Sequence, residues 1–263
     1  MKTVMRSSSQ PCTRLLLALL IILGGCAGLP KGSKNSTNLL ELRTYHCSTP
    51  DGQLATLQFV RDAYQPALHR QGIGPVGVFT PVESGVLDVY VLCPYSNPGQ
   101  LLERNIRLAE DVEFLASAKG FAPSGAPLPY TRIESRILRA FEGLPGIIPP
   151  SSQSLERLLE LRIYESRNEE LARRKVEMFN TGEIQLMQEV ELGPVFFGES
   201  FGAADMPNLV YMLSADNEEE HKEHWQRFLK HPDWARMRDL PRYADTVSKI
   251  TSTLLRPAAG SDI

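Results

Sequence analysis

The chain has 263 residues, with 28 Lys and Arg against 31 Asp and Glu, a formal charge of −3, and 42% hydrophobic and 22% charged residues. That is the composition of a globular protein with room for two ordinary domains, large enough that neither a disulfide framework nor a structural metal is needed to hold a core together. A mildly acidic balance without a long basic run lacks the footprint of phosphate-backbone binding, so nucleic acid is not an expected partner.

In chain order, Lys2, Arg6 and Arg14 come first, with no acid among them, followed by an apolar run from Leu15 to Leu23. The run is well short of the roughly 20 apolar residues that span a bilayer, which favours a secretory signal over a spanning helix. It ends in Leu23-Gly24-Gly25-Cys26, which resembles the bacterial lipobox, where the cysteine is acylated and becomes the new N-terminus. The alternative is an ordinary cleaved signal with an incidental cysteine. The expected arrangement is a signal peptide over 1–25, a lipid attached at Cys26 and a flexible tether over 26–38, holding the body in the bacterial cell envelope, facing the periplasm or the exterior. Loss of the three cations before Cys26 takes the net charge from −3 to −6, so attachment would rest on acyl groups rather than on attraction to anionic lipid.

Beyond the tether the chain repeats itself. Leu39-Leu40-Glu41-Leu42-Arg43-Thr44-Tyr45 recurs as Leu158-Leu159-Glu160-Leu161-Arg162-Ile163-Tyr164, and Gly74-Pro75-Val76 as Gly193-Pro194-Val195, both at an offset of 119. Tyr90 pairs with Tyr211, and Leu138-Arg139 with Leu255-Arg256, at offsets within two of that value. Each copy opens with an alternating strand and continues with an amphipathic helix, in the first copy through Leu54, Leu57, Val60, Tyr64 and Leu68. Two strands follow, then a second helical stretch and a last strand, giving the βαββαβ plan of the ferredoxin-like unit. Asn217 is an N-cap candidate, with Glu218, Glu219 and Glu220 in the first turn. A Pro- and Gly-rich connector separates the copies. The expected boundaries are 39–141 for the first domain, 142–154 for the linker, 155–257 for the second domain and 258–263 for a tail.

The Glu-Leu-Arg-x-Tyr strands at 41–45 and 160–164, Gly72-Ile73-Gly74-Pro75-Val76-Gly77-Val78-Phe79, His231-Pro232-Asp233-Trp234, and Arg242-Tyr243-Ala244-Asp245-Thr246-Val247 closing with Leu255-Arg256-Pro257 resemble the NIPSNAP family, in particular exported bacterial members with two such domains. The resemblance covers nearly all of residues 39–257. It implies the dimeric α+β barrel, here with both sheets from one chain, helices outside and a central cavity. It implies no reaction, since the family has no generally established one; relatives of the architecture include cofactor-free monooxygenases and haem-binding peroxidase-like enzymes. The first copy departs from the pattern around Ala116 to Phe121, where the Asp-Pro-x-Trp-like element is missing and the second helix is expected to end differently.

Alternation sends Leu40, Leu42 and Thr44 to one strand face and Glu41, Arg43 and Tyr45 to the other, with Glu160, Arg162 and Tyr164 matching in the second copy. If helices cover the apolar face, these six polar residues line the space between the sheets. There they either bind a polar or aromatic ligand or simply pair with one another. His221 and His224 are spaced to share a metal, but no third ligand is visible and the helix is crowded with charge, so a solvated face and no metal are expected. His46 and His69 are isolated. Phe196, Phe197, Tyr211, Trp225 and Trp234 read mainly as core, with one or two left to line a cavity. No phosphate loop, nucleophile elbow or Cys-x-x-Cys is present in the sequence.

Taking the first and third strands of the unit as adjacent and parallel puts Cys47 and Cys93 at one sheet edge, and an exported chain permits a disulfide between them; two reduced, buried thiols are the alternative. The sequence leads to a non-catalytic envelope lipoprotein that binds a small molecule or another envelope protein, with no cofactor implied. A cofactor-independent oxygenase or isomerase acting in the barrel cavity, and a haem protein, stand as alternatives.

Overall fold

The computed structural model describes residues 39–122, 125–152 and 154–263; the expected signal segment, the Cys26 attachment and the tether lie outside them. Eight strands form one closed barrel: β1 (Leu39–His46), β2 (Gly77–Pro81), β3 (Val89–Tyr95), β4 (Arg132–Ala140), β5 (Leu158–Glu165), β6 (Pro194–Gly202), β7 (Asn208–Ala215) and β8 (Lys249–Pro257). Around the barrel they run β1-β3-β2-β8-β5-β7-β6-β4, with every neighbouring pair antiparallel. Closure gives each of these strands a neighbour on both sides among the described residues.

The helices are α1 (Pro50–Phe59) and α2 (Gln65–Arg70), joined by a π-helical turn at Val60–Tyr64, then α3 (Pro98–Glu110) and α4 (Val112–Ala118). In the second half α5 (Glu169–Met178), a π-helical turn at Phe179–Glu183, α6 (Ile184–Glu189), α7 (Glu218–Lys230) and α8 (Pro232–Arg238) follow the same order, and each matches its counterpart in length. Thr49, Asn97, Asn168 and Asn217 cap α1, α3, α5 and α7, each side chain accepting a backbone N–H of the first turn. The π turn inserts a residue and shifts the phase of the helical face. Leu54, before it, is therefore 55% exposed, while Val60, Tyr64 and Leu68 are buried.

Three apolar layers result. Leu40, Leu42, Leu159, Leu161, Phe196 and Met212 belong to the cluster that fills the barrel, with contributions from every strand. Tyr45, Tyr64, Val91, Cys93 and Tyr95 pack under the helices of the first half, and Tyr164, Phe179, Phe197, Tyr211 and Phe228 under those of the second. This reverses the expected orientation. The leucines face the space between the sheets, and Glu41, Arg43, Tyr45, Glu160, Arg162 and Tyr164 face the helices. A closed eight-stranded barrel has just enough room for packed side chains and no water for charges, whereas helices above a sheet can supply polar partners. Alternation groups residues by face but does not say which face turns inward.

Other expectations also change. The Cys47–Cys93 disulfide is absent, and both cysteines are free. β1 and β3 are antiparallel, with Cys93 opposite Glu41 while Cys47 follows the far end of β1, about 20 Å away at strand rise and far beyond the span of a disulfide. Tyr211 sits opposite Arg162, whereas Val91, not Tyr90, sits opposite Arg43. The second helical stretches of the two halves begin alike and end differently, α8 leading into a 3-10 turn at Pro241–Tyr243 and α4 into a turn in which Phe121 N donates to Ala118 O. Asp111 caps α4 by accepting from Phe114 N, as His231 caps α8 by accepting from Asp233 N, so Asp111-Val112-Glu113-Phe114 stands where the second half has His231-Pro232-Asp233-Trp234. Residues 258–263 are not a loose tail: Ala258 N and Asp262 N donate to Val78 O and Val76 O, and Ile263 is buried in the barrel cluster.

Candidate functional site

The polar strand faces form two clusters between sheet and helices. In the first half Glu41 Oε2 accepts from Tyr95 OH at 2.8 Å and from Arg104 Nη1 of α3, while Oε1 accepts from Ser135 Oγ at 2.7 Å. Arg104 also donates to Tyr95 OH at 2.6 Å, and Arg43 Nε donates to Tyr45 OH at 3.1 Å. Glu41 and Arg104 are both buried, so the carboxylate has exchanged water for a charged partner and two hydroxyls.

The second half keeps the strand residues and changes the helix. Glu160 Oε1 accepts from Arg162 Nη1 and Ser252 Oγ, each at 2.5 Å, and Oε2 from Trp225 Nε1 at 2.7 Å and His221 Nε2 at 2.9 Å. Burial alone would raise the Glu160 pKa; the bonds from His221, Ser252 and Trp225 and the Arg162 charge outweigh it and hold the carboxyl at about 2. The Arg162 guanidinium stands 4.7 Å from the Trp225 ring centre and 5.4 Å from that of Tyr164, and Tyr211 OH donates to Tyr164 OH at 2.8 Å. His221 is thus a partner of Glu160, and the buried His224 does not lie on a solvated face. Among the described residues no group of three or more His, Cys, Asp or Glu is arranged to hold a metal ion.

Two features of the second half were not legible as sites. Lys175 Nζ donates to Glu183 Oε2 at 2.6 Å, both residues buried, and Nζ lies 4.5 Å from the Phe179 ring centre and 5.6 Å from that of Trp234. Burial raises the Glu183 pKa against the pull of Lys175. The first half has Thr56 and Tyr64 at these positions. The second feature is a cavity of about 500 Å³ between the linker, the start of β6, the end of β7 and α7, lined among others by Pro149, Arg157, Gly193, Ala215, Glu220 and His224. Strand pairing makes Ala215, opposite Leu158, the counterpart of Tyr95, opposite Leu39. Helix caps make His224 the counterpart of Arg104, each seven residues after its capping asparagine. In the second half His221 and Trp225 donate to Glu160 where Tyr95 and Arg104 donate to Glu41, while Ala215 and His224 line the cavity. Gly193 forms part of its wall at φ 61°, where an added Cβ would lie 2.3 Å from Ser214 O, so only glycine fits there.

An α+β protein with a closed antiparallel barrel and polar clusters under its helices is the class defined by this geometry. Residues 159–262 match the NIPSNAP family model, and the chain carries a NIPSNAP domain there. Among solved structures it is similar to a monooxygenase candidate from Lactobacillus acidophilus NCFM, at 11% identity over 84% of this chain and 94% of that one, TM-score 0.57. A second monooxygenase candidate, from Fusobacterium nucleatum, is 8% identical over 84% and 93%, TM-score 0.53. A NIPSNAP-like domain protein from Burkholderia xenovorans aligns at 17% identity over 41% and 90%, TM-score 0.38. The two longer matches establish a shared fold and nothing about activity. No curated protein sequence matches significantly.

Proposed function

We propose that the chain is an envelope lipoprotein built from two tandem, duplicated ferredoxin-like NIPSNAP domains, and that its second domain binds a small molecule in the cavity beside the linker. The observation that carries this is the cavity itself, lined by Ala215 and His224 at the positions of Tyr95 and Arg104 in the first half. The opening is about 500 Å³, within the range of small-molecule sites. The buried His224 and the half-buried Arg157 are both part of its lining. The oxygenase alternative gains nothing, because the central cavity it requires is filled by Leu40, Leu42, Leu159, Leu161 and their neighbours.

Native mass spectrometry of the protein released from its own envelope tests the binding role. A retained adduct is expected on the wild type and not on an Ala215→Tyr, His224→Arg variant that copies the first half, provided the variant's thermal unfolding shows it folded. An unadducted mass for both would overturn the reading. For the anchor, Cys26→Ser should move the protein from the membrane to the soluble fraction; unchanged fractionation would refute lipid attachment.

A further inference from the structure

We infer that the outward face of α3 and α4 in the first half rests on the bilayer that carries the lipid anchor, as a shallow apolar contact with phospholipid acyl chains. This rests on the reading that Cys26 is lipidated. Leu102 and Ile106 stand one turn apart on α3 at 76% and 61% exposure, and Val112 and Leu115 are exposed on α4. The same helices bury Arg104 and Leu108 and pack Leu101 and Phe114 against the core, so the exposed side chains belong to a second, outward apolar face. Folding does not require that face. Aligning the caps Asn97 with Asn217 and Asp111 with His231 puts Lys222 and Gln226 at the places of Leu102 and Ile106, and Ala235 at that of Leu115, on helices of equal length. A lone exposed leucine is ordinary, but neighbouring apolar residues that the other half replaces with lysine and glutamine mark a contact surface.

The place where the anchored segment joins the body selects the membrane as partner. β1 starts at Leu39, which lies opposite Tyr95, and α3 starts at Pro98, three residues after Tyr95. The segment that carries Cys26 therefore enters the described body beside the N-terminal end of α3. Residues 26–38 can span at most about 45 Å, and α3 is the helix that an acylated Cys26 brings to a bilayer with the least extension of that segment. The charges on the face decide which property of the lipid is used. The basic side chains of α3 are already matched, Arg107 with Glu103 and the buried Arg104 with Glu41. Such a face gains nothing from anionic headgroups; its attachment comes from apolar side chains entering the headgroup–acyl boundary, about 5–10 Å deep. A second copy of the chain is the other occupant such a face admits, but the anchor gives it no comparable reason to meet this side of the body.

Tryptophan quenching in vesicles tests the contact. Ile106→Trp and, at the equivalent place in the second half, Gln226→Trp are each made in the full chain, released from its own envelope and reconstituted in phosphatidylcholine vesicles whose acyl chains are brominated near the headgroup. The wild type supplies the background from Trp225 and Trp234. Emission of Ile106→Trp should be quenched beyond that background, that of Gln226→Trp should not, and replacing part of the lipid with phosphatidylglycerol should leave both unchanged. Vesicle-bound protein without excess quenching at Ile106→Trp would overturn the contact while leaving the anchor intact. Protein that fails to join the vesicles and has an unlipidated mass would overturn both. A Cys26→Ser protein that sediments as a dimer, and as a monomer once Leu102→Lys and Ile106→Gln are added, would assign the face to a second copy and overturn the bilayer contact.

Discussion

Glu160→Gln isolates the charge at the centre of the second cluster while keeping the side chain's size. The carboxyl is held at about 2 against an ordinary 4.5, and at 1.36 kcal/mol per pKa unit this is about 3 kcal/mol of folding stability at neutral pH. The side chain is 4% exposed, so solvent screening takes little from that figure. The variant also leaves the half-buried Arg162 without its anion, a loss in the range of about 3–5 kcal/mol for one partner of a buried pair. A loss of about 3 kcal/mol corresponds to about 6–12 °C in unfolding temperature for a body of this size.

The pH dependence gives the sharper readout. Because the folded-state pKa lies below the unfolded one, the contribution is complete above the unfolded value of about 4.5 and is lost as pH falls through the folded value of about 2. Urea unfolding of wild type and variant at intervals from pH 7 to pH 2.5 should show a constant gap down to about pH 5, narrowing steadily below it. A gap under about 1 kcal/mol at pH 7, or one that stays the same at pH 3, would refute the assignment of Glu160 as a charge-bearing structural centre.

Three further outcomes follow from the packing. Leu161→Ala, in the barrel cluster at 3% exposure, should cost about 2–5 kcal/mol, and Leu54→Ala at the exposed helix position within about 0.5 kcal/mol; equal effects in chemical denaturation would mean the strand faces are assigned backwards. Lys175→Met should destabilise by about 3–5 kcal/mol by stranding the buried Glu183, while Lys175→Met with Glu183→Leu should return to within about 1 kcal/mol of wild type; a double variant no better than the single would contradict the pair. Ellman titration should find Cys47 and Cys93 both free after denaturation without reductant, and the folded protein should expose Cys47 well before Cys93, whose thiol burial pushes its pKa up.

The legible parts were those written in local pattern. The recurring Glu-Leu-Arg-x-Tyr strand gave the two halves and their order, and the capping asparagine of α7 was visible because a side-chain oxygen before an acidic first turn is a local signal. The inward or outward choice of each strand face was not legible. It is one binary decision, made by barrel closure, and it moved all six candidate residues together. Treating β1 and β3 as parallel misplaced Cys93 by the length of the strand. Matching Tyr90 to Tyr211 hid the cavity, since the true register pairs Tyr95 with Ala215 and would have shown a missing phenol. The π turns have no hydrophobic period of their own, and Leu54 was placed on the buried face because an unbroken 3.6-residue repeat was carried through Val60–Tyr64.

The two halves also bear on whether the second half's polar interior has a structural or a functional reason. Matching strands, helices and π turns recur with Thr56 and Tyr64 in one half and Lys175 and Glu183 in the other, so the backbone does not require an ion pair at that place. A buried pair is a weak source of stability, because desolvation offsets most of its attraction. At the linker Ala215 and His224 line a cavity, at the positions held by Tyr95 and Arg104 in the first half. Neither solution is free of cost, since the first half leaves the Tyr64 hydroxyl buried without a partner while the second pairs Lys175 with Glu183. The halves therefore differ by exchange of one polar solution for another, and the cavity beside the linker is where the proposed ligand role is to be tested.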